Sequence, residues 1–429
     1  MSKKLAALLN LEVELRSCEP IEEEYCKEVP GNFLKNAGSG FCSKLAEQLV
    51  SPGVTLPWIF SLVGSGTGLA GLLVPLKNLG SLLPQLMVSG SIRRFPRRKY
   101  FWAIPAFVQA VMVILMGLSL MYLEGDKAGI AVVVLLLFFS MASGVSSVAF
   151  KDVMGKTIPK GKRGRLLAWR ATGGGILTLL FGLALYFFLR SWEPMSTILL
   201  LVGCAAALWV LAGLFFAWIK EAPGATDGGR TPLEEFRAGW QHLKTDSNLR
   251  NFVLARAFLM AIPLAQPFFV IIGKETTGAD LSGLGIFVIA SGIAATVSSP
   301  FWGRFADRSS RKLMMAIALF GIINCGLVLG FMYLSSASQS LYLFAPLILL
   351  NMMAHGGARL SRKTYLTDFA PERERPLYIA LSNTLIGIFT LLTAGIGFIA
   401  EWFNTEVLLL FFIGMLLISL FWTYRLKEV

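Results

Sequence analysis

Gly303-Arg304-Phe305-Ala306-Asp307-Arg308-Ser309-Ser310-Arg311-Lys312 is a polar stretch set between two long apolar runs. Glycine lets two helices approach closely, an aspartate can cap a neighbouring helix N-terminus, and the cations suit carboxylates or lipid phosphate. Working outward, the chain has 429 residues, 55% hydrophobic and only 15% charged. A soluble globular domain carries about a quarter charged residues, so this is the composition of a polytopic membrane protein.

Residues 1–42 are polar and carry Glu22-Glu23-Glu24, so no cleavable leader is read there and the N-terminus is expected in the cytoplasm. Gln48 to Ile92 holds a single charge, Lys77, and is long enough for two spans of about 20 residues joined at Gly64-Ser65-Gly66. Helices 3 and 4 follow at Tyr100 to Leu123 and Ala128 to Phe150, and helices 5 and 6 at 167–189 and 196–219. Six more runs lie at 252–273, 282–303, 313–334, 340–358, 377–400 and 407–424.

The formal net charge of +13 would suggest nucleic acid in a soluble protein, but here the cations cluster in short loops beside the spans. Arg93 to Lys99, Lys151 to Arg165, Arg304 to Lys312 and Arg359 to Arg375 all fall on the N-terminal side, against Lys127, Arg190 and Lys274 opposite. That asymmetry predicts cytoplasmic N- and C-termini, and it makes lipid, not nucleic acid, the expected partner of the loops. Trp102, Trp192, Trp302, Trp402 and Trp422 near span ends are expected to form an interfacial belt.

Between helices 6 and 7, Thr231-Pro232-Leu233-Glu234 reads as a helix start, with Leu233, Phe236, Trp240 and Leu243 forming one apolar stripe. Cys18, Cys26 and Cys42 lack a CxxC or Cys/His pairing, so reduced thiols are expected rather than a disulfide framework or a metal site. The expected division is a cytoplasmic N-terminal segment at 1–42, six-helix bundles at 43–219 and 250–424, a cytoplasmic linker at 220–249 and a tail at 425–429.

The two halves repeat. Gly90, Arg98 and Lys99 correspond to Gly303, Arg311 and Lys312 at an offset of 213, and Lys151, Pro159, Arg163 and Ala168 to Lys363, Pro371, Arg375 and Ala380 at 212. The chain resembles the major facilitator superfamily, of bacterial type, whose loop motif is G-x-L-A-D-R-x-G-R-K; Phe305 and Ser310 depart from it. The resemblance covers about residues 43–424 and implies an all-α membrane fold of twelve spans in two pseudo-symmetric bundles. It implies gating roles for Gly303, Asp307, Arg308, Arg311 and Lys312, with Gly90 and Arg98 in the first copy. That copy is degenerate: Arg94 stands in place of the family's Asp and Arg97 in place of its Gly. Gly173-Gly174-Gly175 on helix 5 lacks the proline of the antiporter pattern, so drug efflux loses support.

Only His242 and His355 occur, and no Walker loop, nucleophile constellation or metal-spaced cluster is found, so neither an enzyme, a cofactor nor a metal is expected. Glu47, Asp152, Glu275 and Glu401 are placed at helix ends, leaving no acid at mid-membrane. Lys77 is placed near the midplane, beyond snorkelling reach. The resemblance puts helices 1, 2, 4, 5, 7, 8, 10 and 11 around a central cavity, which makes Lys77, Gln266, Asn351 and Asn383 the candidate substrate or coupling residues. Gln266, Asn351 and Asn383 can equally be helix-to-helix hydrogen bonds, and Arg256 is read as cavity-lining or as a positive-inside anchor.

The expected function is alternating-access transport of a small anionic solute across the inner membrane by a monomer, with protons or another ion as the coupling partner. The rival reading is a non-transporting member of the fold acting in pigment or complex assembly through its N-terminal segment. A channel would need a continuous polar stripe, which Lys77 alone does not supply.

Overall fold

Gly64 and Gly278 take left-handed backbone angles (φ of 73° and 61°) and end two helices where the chain turns back. Side chains start others: Asp246, Ser309, Ser340 and Asn404 each accept from an amide of the turn that follows. The computed structural model describes residues 23–92, 94–188, 192–224, 240–279, 281–306, 308–335, 339–371 and 374–428. Within them the chain is helical, without strands.

After a short turn at Glu23–Cys26, helix α1 has two parts, α1a Val29–Leu49 and α1b Thr55–Val63, broken around Pro52 and Gly53. Then come α2 Thr67–Ile92, α3 Tyr100–Tyr122, α4 Gly125–Thr157, α5 Lys160–Phe188 and α6 Pro194–Ala217. The second half has α7a Ser247–Leu259 and α7b Ala261–Thr277, α8 Leu281–Ala306, α9 Ser310–Met332 and α10 Leu341–Phe369. It closes with α11a Arg375–Leu392, a 3-10 turn at Thr393–Ile396, α11b Gly397–Trp402 and α12 Thr405–Tyr424. Among the described residues, ten helices are long and apolar enough to cross a membrane, with α7a and α7b counted as one, so the protein is a multi-pass membrane protein.

Several expected boundaries move, for one physical reason: the helices outrun the apolar core. Helix α1 begins at Val29 rather than near residue 43, and its polar first turns are buried against α5 and α6 by Asn32, Phe33, Asn36 and Ala37. The expected basic loop at Lys151 to Arg165 is helical except at 158–159, and Arg359 to Phe369 belongs to α10. Trp102 and Trp302 do not join a belt. Trp102 stacks on Phe216 at 4.2 Å, and Trp302 donates to the Met353 carbonyl at 2.8 Å. Cys26 is disulfide-bonded rather than reduced, whereas Cys42, Cys204 and Cys325 are free. Cys18 and the linker helix expected from Thr231 lie outside the described residues, which resume as helix at 240–245.

The end of the molecule that carries the loops after α2, α4, α8 and α10 is the linker end, and the other is the distal end. Glycines let α5 run against two neighbours: a Cβ on Gly173 would strike Phe41, one on Gly174 would strike Lys44, and one on Gly175 would sit 2.6 Å from Thr296 Oγ1. The Gly173-Gly174-Gly175 triplet is thus a packing surface for α1a and α8, which explains three glycines in succession without a proline.

Candidate functional site: a cationic cavity between the bundles

The axial surface is built from helices whose polar residues recur every three or four positions. On α10, Asn351, His355, Arg359 and Arg362–Lys363 fall at successive turns, so they form one polar stripe along the helix. Opposite stand Lys44 and Glu47 on α1a and Lys77 on α2. Lys44, Lys77 and Arg359 all act electrostatically on Glu47, and Arg359, Arg362 and Lys77 all act on His355. Both bundles therefore contribute charge to one space.

Lys44 Nζ lies 2.7 Å from Glu47 Oε2. Lys77, Arg256, Arg359, Arg362 and Lys363 make no ion pair among the described residues. Arg256 is only 6% exposed, and its guanidinium donates to Ser382 Oγ at 2.9 Å and to Asn383 Oδ1 at 2.7 Å, while its Nε is buried without a partner. Burying an unpaired guanidinium is costly, and two neutral acceptors offset only part of the cost. On the neighbouring face, Arg170 of α5 donates to the Asn36 carbonyl (2.6 Å) and Oδ1 (2.7 Å) and lies over the Phe150 ring.

The residues singled out from sequence fare differently. Arg256 and Asn383 are brought into contact, and the burial of Arg256 against α11a removes the reading of it as a headgroup anchor. Asn351 is buried with Nδ2 unpaired. Gln266 lies against the backbone of Gly53, where α1 breaks: a Cβ there would sit 2.7 Å from its Cδ. Lys77 sits within α2, which continues through Pro75, and the expectation that no acid shares its depth is corrected by Glu47. Because α1 starts at Val29 and runs to Val63, Glu47 is interior to the span instead of at its end. Sequence reading misses Lys44, Glu47, His355, Arg359, Arg362 and Ser382. The four-residue polar spacing along 351–363 is the signal that finds the α10 group.

The loop motif proves to be an anchor within each bundle. Asp307 lies outside the described residues. Arg311 Nε pairs with Glu428 Oε2 at 2.8 Å, its Nη1 donates to the Leu426 carbonyl at 2.9 Å, and Lys312 Nζ lies 3.9 Å from Glu428. The Ser309 hydroxyl donates to Glu428 and, with Arg311, holds that carboxyl below the ordinary glutamate range. Arg308 is exposed, and a Cβ on Gly303 would meet open space, so no close helix approach depends on that glycine. In the first half Arg98 Nη1 pairs with Asp152 at 2.6 Å, and the Arg98 and Lys99 amides donate to Glu221. Gly90 lies in the last turns of α2. Glu221 and Glu428 each stand four residues beyond the last residue of α6 and α12, a correspondence the two loop offsets do not reveal.

The bundles meet at mid-height and at the distal end. Gln48 Nε2 donates to Ser291 Oγ at 3.0 Å, Lys274 Nζ to Ser61 Oγ at 2.8 Å, and Tyr186 and Tyr342 share a hydroxyl bond of 2.7 Å. The Glu401 carboxylate accepts the Gly68 amide at 2.7 Å, at the N-terminus of α2. A Cβ on Gly71 would lie 2.5 Å from the Gly397 Cα, so backbones touch there.

Two helical bundles are joined at the distal end, and cations of both act on the same groups between them. The Major Facilitator Superfamily model matches residues 264–429. The chain is 26% identical over 371 residues to an uncharacterised protein of Mycobacterium bovis, spanning 82% of this chain and 69% of that one. It is 29% identical over 129 residues, 30% of each chain, to the uncharacterised MFS-type transporter YqjV of Bacillus subtilis. Among solved structures, the nucleoside transporter NupG superposes with a TM-score of 0.69 at 12% identity, covering 92% of this chain and all of that one. A D-xylose-proton symporter superposes with a TM-score of 0.65 at 14% identity, covering 93% and 97%. At these identities the likeness establishes the fold alone.

Proposed function

We propose that the protein is an alternating-access transporter of a small anionic solute, bound between the bundles at the cationic cavity. The fold supports a secondary membrane transporter, and the carrying observation for charge is the cluster of Lys77, Arg256, Arg359 and Arg362 without ion pairs among the described residues. An anion supplies the missing counter-charge. Lys77 and the α10 stripe come from different bundles, so one bound solute touches both, as rocking about a midplane site requires.

The basic loops support a cytoplasmic linker end and a location in the inner membrane. Cysteines at Asp126 and Thr277 should then react with an impermeant thiol reagent added outside intact cells, and one at Gly161 should not; the reverse pattern contradicts the orientation. The functional test is counterflow in proteoliposomes with a panel of labelled organic anions and neutral solutes. An anion should exchange, and Lys77→Met should raise its half-saturation concentration at least tenfold, with Lys77→Arg in between. Exchange of neutral solutes alone, unaffected by Lys77→Met, would overturn the proposal.

A further inference from the structure

The cations are too many for a monovalent solute. Lys44 already has Glu47 at 2.7 Å, so the resident carboxylate is engaged on its own helix. The remainder face one another: Arg362 acts on Arg256, and Lys363 carries repulsion from Arg362, Arg359, Lys151 and Lys44. Arg359, Arg362 and Lys77 all act electrostatically on His355. Arg256 is buried with an unpartnered Nε, and Asn351, one turn from His355 on the same stripe, is buried with an unpartnered Nδ2 donor. Donors of this kind, fixed and unfilled, suit oxygen atoms that carry charge.

Resting on the reading of the cavity as an anion site, we infer that its ligand carries a compact head group of at least two negative charges, a phosphate monoester or a paired dicarboxylate, and that Glu47 sets this requirement. One carboxylate among these cations makes the empty site tolerable. It also opposes any incoming anion, because Lys44, Lys77, Arg170 and Arg359 feel Glu47 and the ligand together. A monoanion gains little over the charge already present. A dianion can engage Lys77 on one bundle and Arg359 and Arg362 on the other while Glu47 keeps Lys44. Phosphate monoester and dicarboxylate share this chemistry and differ in shape, which the test separates.

The test is equilibrium binding to the full-length detergent-purified protein, by calorimetry and thermal shift at constant ionic strength. The probes are matched pairs on one carbon skeleton: phosphate monoester against its methyl diester, dicarboxylate against its monoamide, with the parent polyol as the neutral member. The dianions should bind at least tenfold more tightly than their monoanionic partners, and whichever dianion series wins identifies the head group. Glu47→Gln should tighten dianion binding at least threefold, whereas a merely structural Glu47 would leave it unchanged or weaken it. Equal affinity within the pairs, or weaker binding in Glu47→Gln, overturns this inference and leaves the anion reading standing. Absence of any anion-dependent binding, with or without a response to the polyol, overturns both.

Discussion

At the distal end the two bundles hold each other; at the linker end the hydrogen bonds and ion pairs among the described residues stay within each bundle. Glu401 to Gly68, Lys274 to Ser61 and Tyr186 to Tyr342 all cross between halves, and Gly71 meets Gly397 backbone to backbone. The linker-end bonds, Arg98 to Asp152, Arg311 to Glu428 and Tyr378 to Asp246, stay within one half, and the cations of α1a, α2 and α10 lie between the halves. One end is thus a joint where α5 packs along α8 and α2 along α11a and α11b, while the other is two separate braces with like charge between them. A bistable closure needs this division, since the braces must survive when the joint opens.

The largest effect expected is on a brace. The Glu221 side chain is fully buried and accepts from the Arg98 and Lys99 amides and from Lys156 Nζ at 3.1 Å. Glu221→Gln should cost about 3–5 kcal/mol, the range for breaking a buried charged network. It should lower the thermal unfolding midpoint without exposing the distal face of the cavity to thiol reagents. Glu428→Gln, at the equivalent place but 46% exposed, should barely move the midpoint. Equal losses from the two would mean that the halves are braced alike after all.

Next comes the joint. Gly71→Val forces a side chain into the Gly397 backbone, an overpacking cost of about 1–3 kcal/mol borne by the closed form alone. Transport should fall at least tenfold, and distal reagents should reach Gln266→Cys faster, with the unfolding midpoint little changed. Wild-type flux in Gly71→Val would show that this contact is not part of the closure.

Smaller still is Glu401→Gln. A carboxylate at an exposed helix N-terminus is worth about 0.3–1 kcal/mol, so the open-to-closed ratio should rise roughly two- to fivefold. Distal labelling rates report that ratio directly, and an unchanged rate would reduce Glu401 to an ordinary cap.

Much of the fold is legible in the sequence. Apolar run length and loop charge point to twelve spans, and the matching loops around Arg98 and Arg311 pair the two halves by residue spacing alone. The cavity is less legible for a definite reason. Hydropathy puts span ends where the apolar runs stop, but α1 and α10 continue as helices beyond that point, so it assigns Glu47 to an end and Arg359 and Arg362 to a loop. Helix continuity depends on backbone hydrogen bonds and on partners such as α5 and α8, which hydropathy does not register. Arg256 stands out because it is a lone charge in an apolar run; its bond to Asn383 joins residues far apart in sequence, and no periodicity announces that.

The most direct test of the account is a pair of distances between the bundles, measured by pulsed electron paramagnetic resonance in a background without native cysteines. Spin labels at Gly161→Cys and Thr367→Cys report the linker end, and labels at Lys127→Cys and Tyr333→Cys report the distal end; all four positions are exposed. When a transported anion is added, the linker-end distance should shorten while the distal distance lengthens, and Lys77→Met should need at least ten times more anion for the same change. Distances that stay fixed at anion concentrations saturating transport, or that change together in the same direction, would contradict alternation about the cationic cavity.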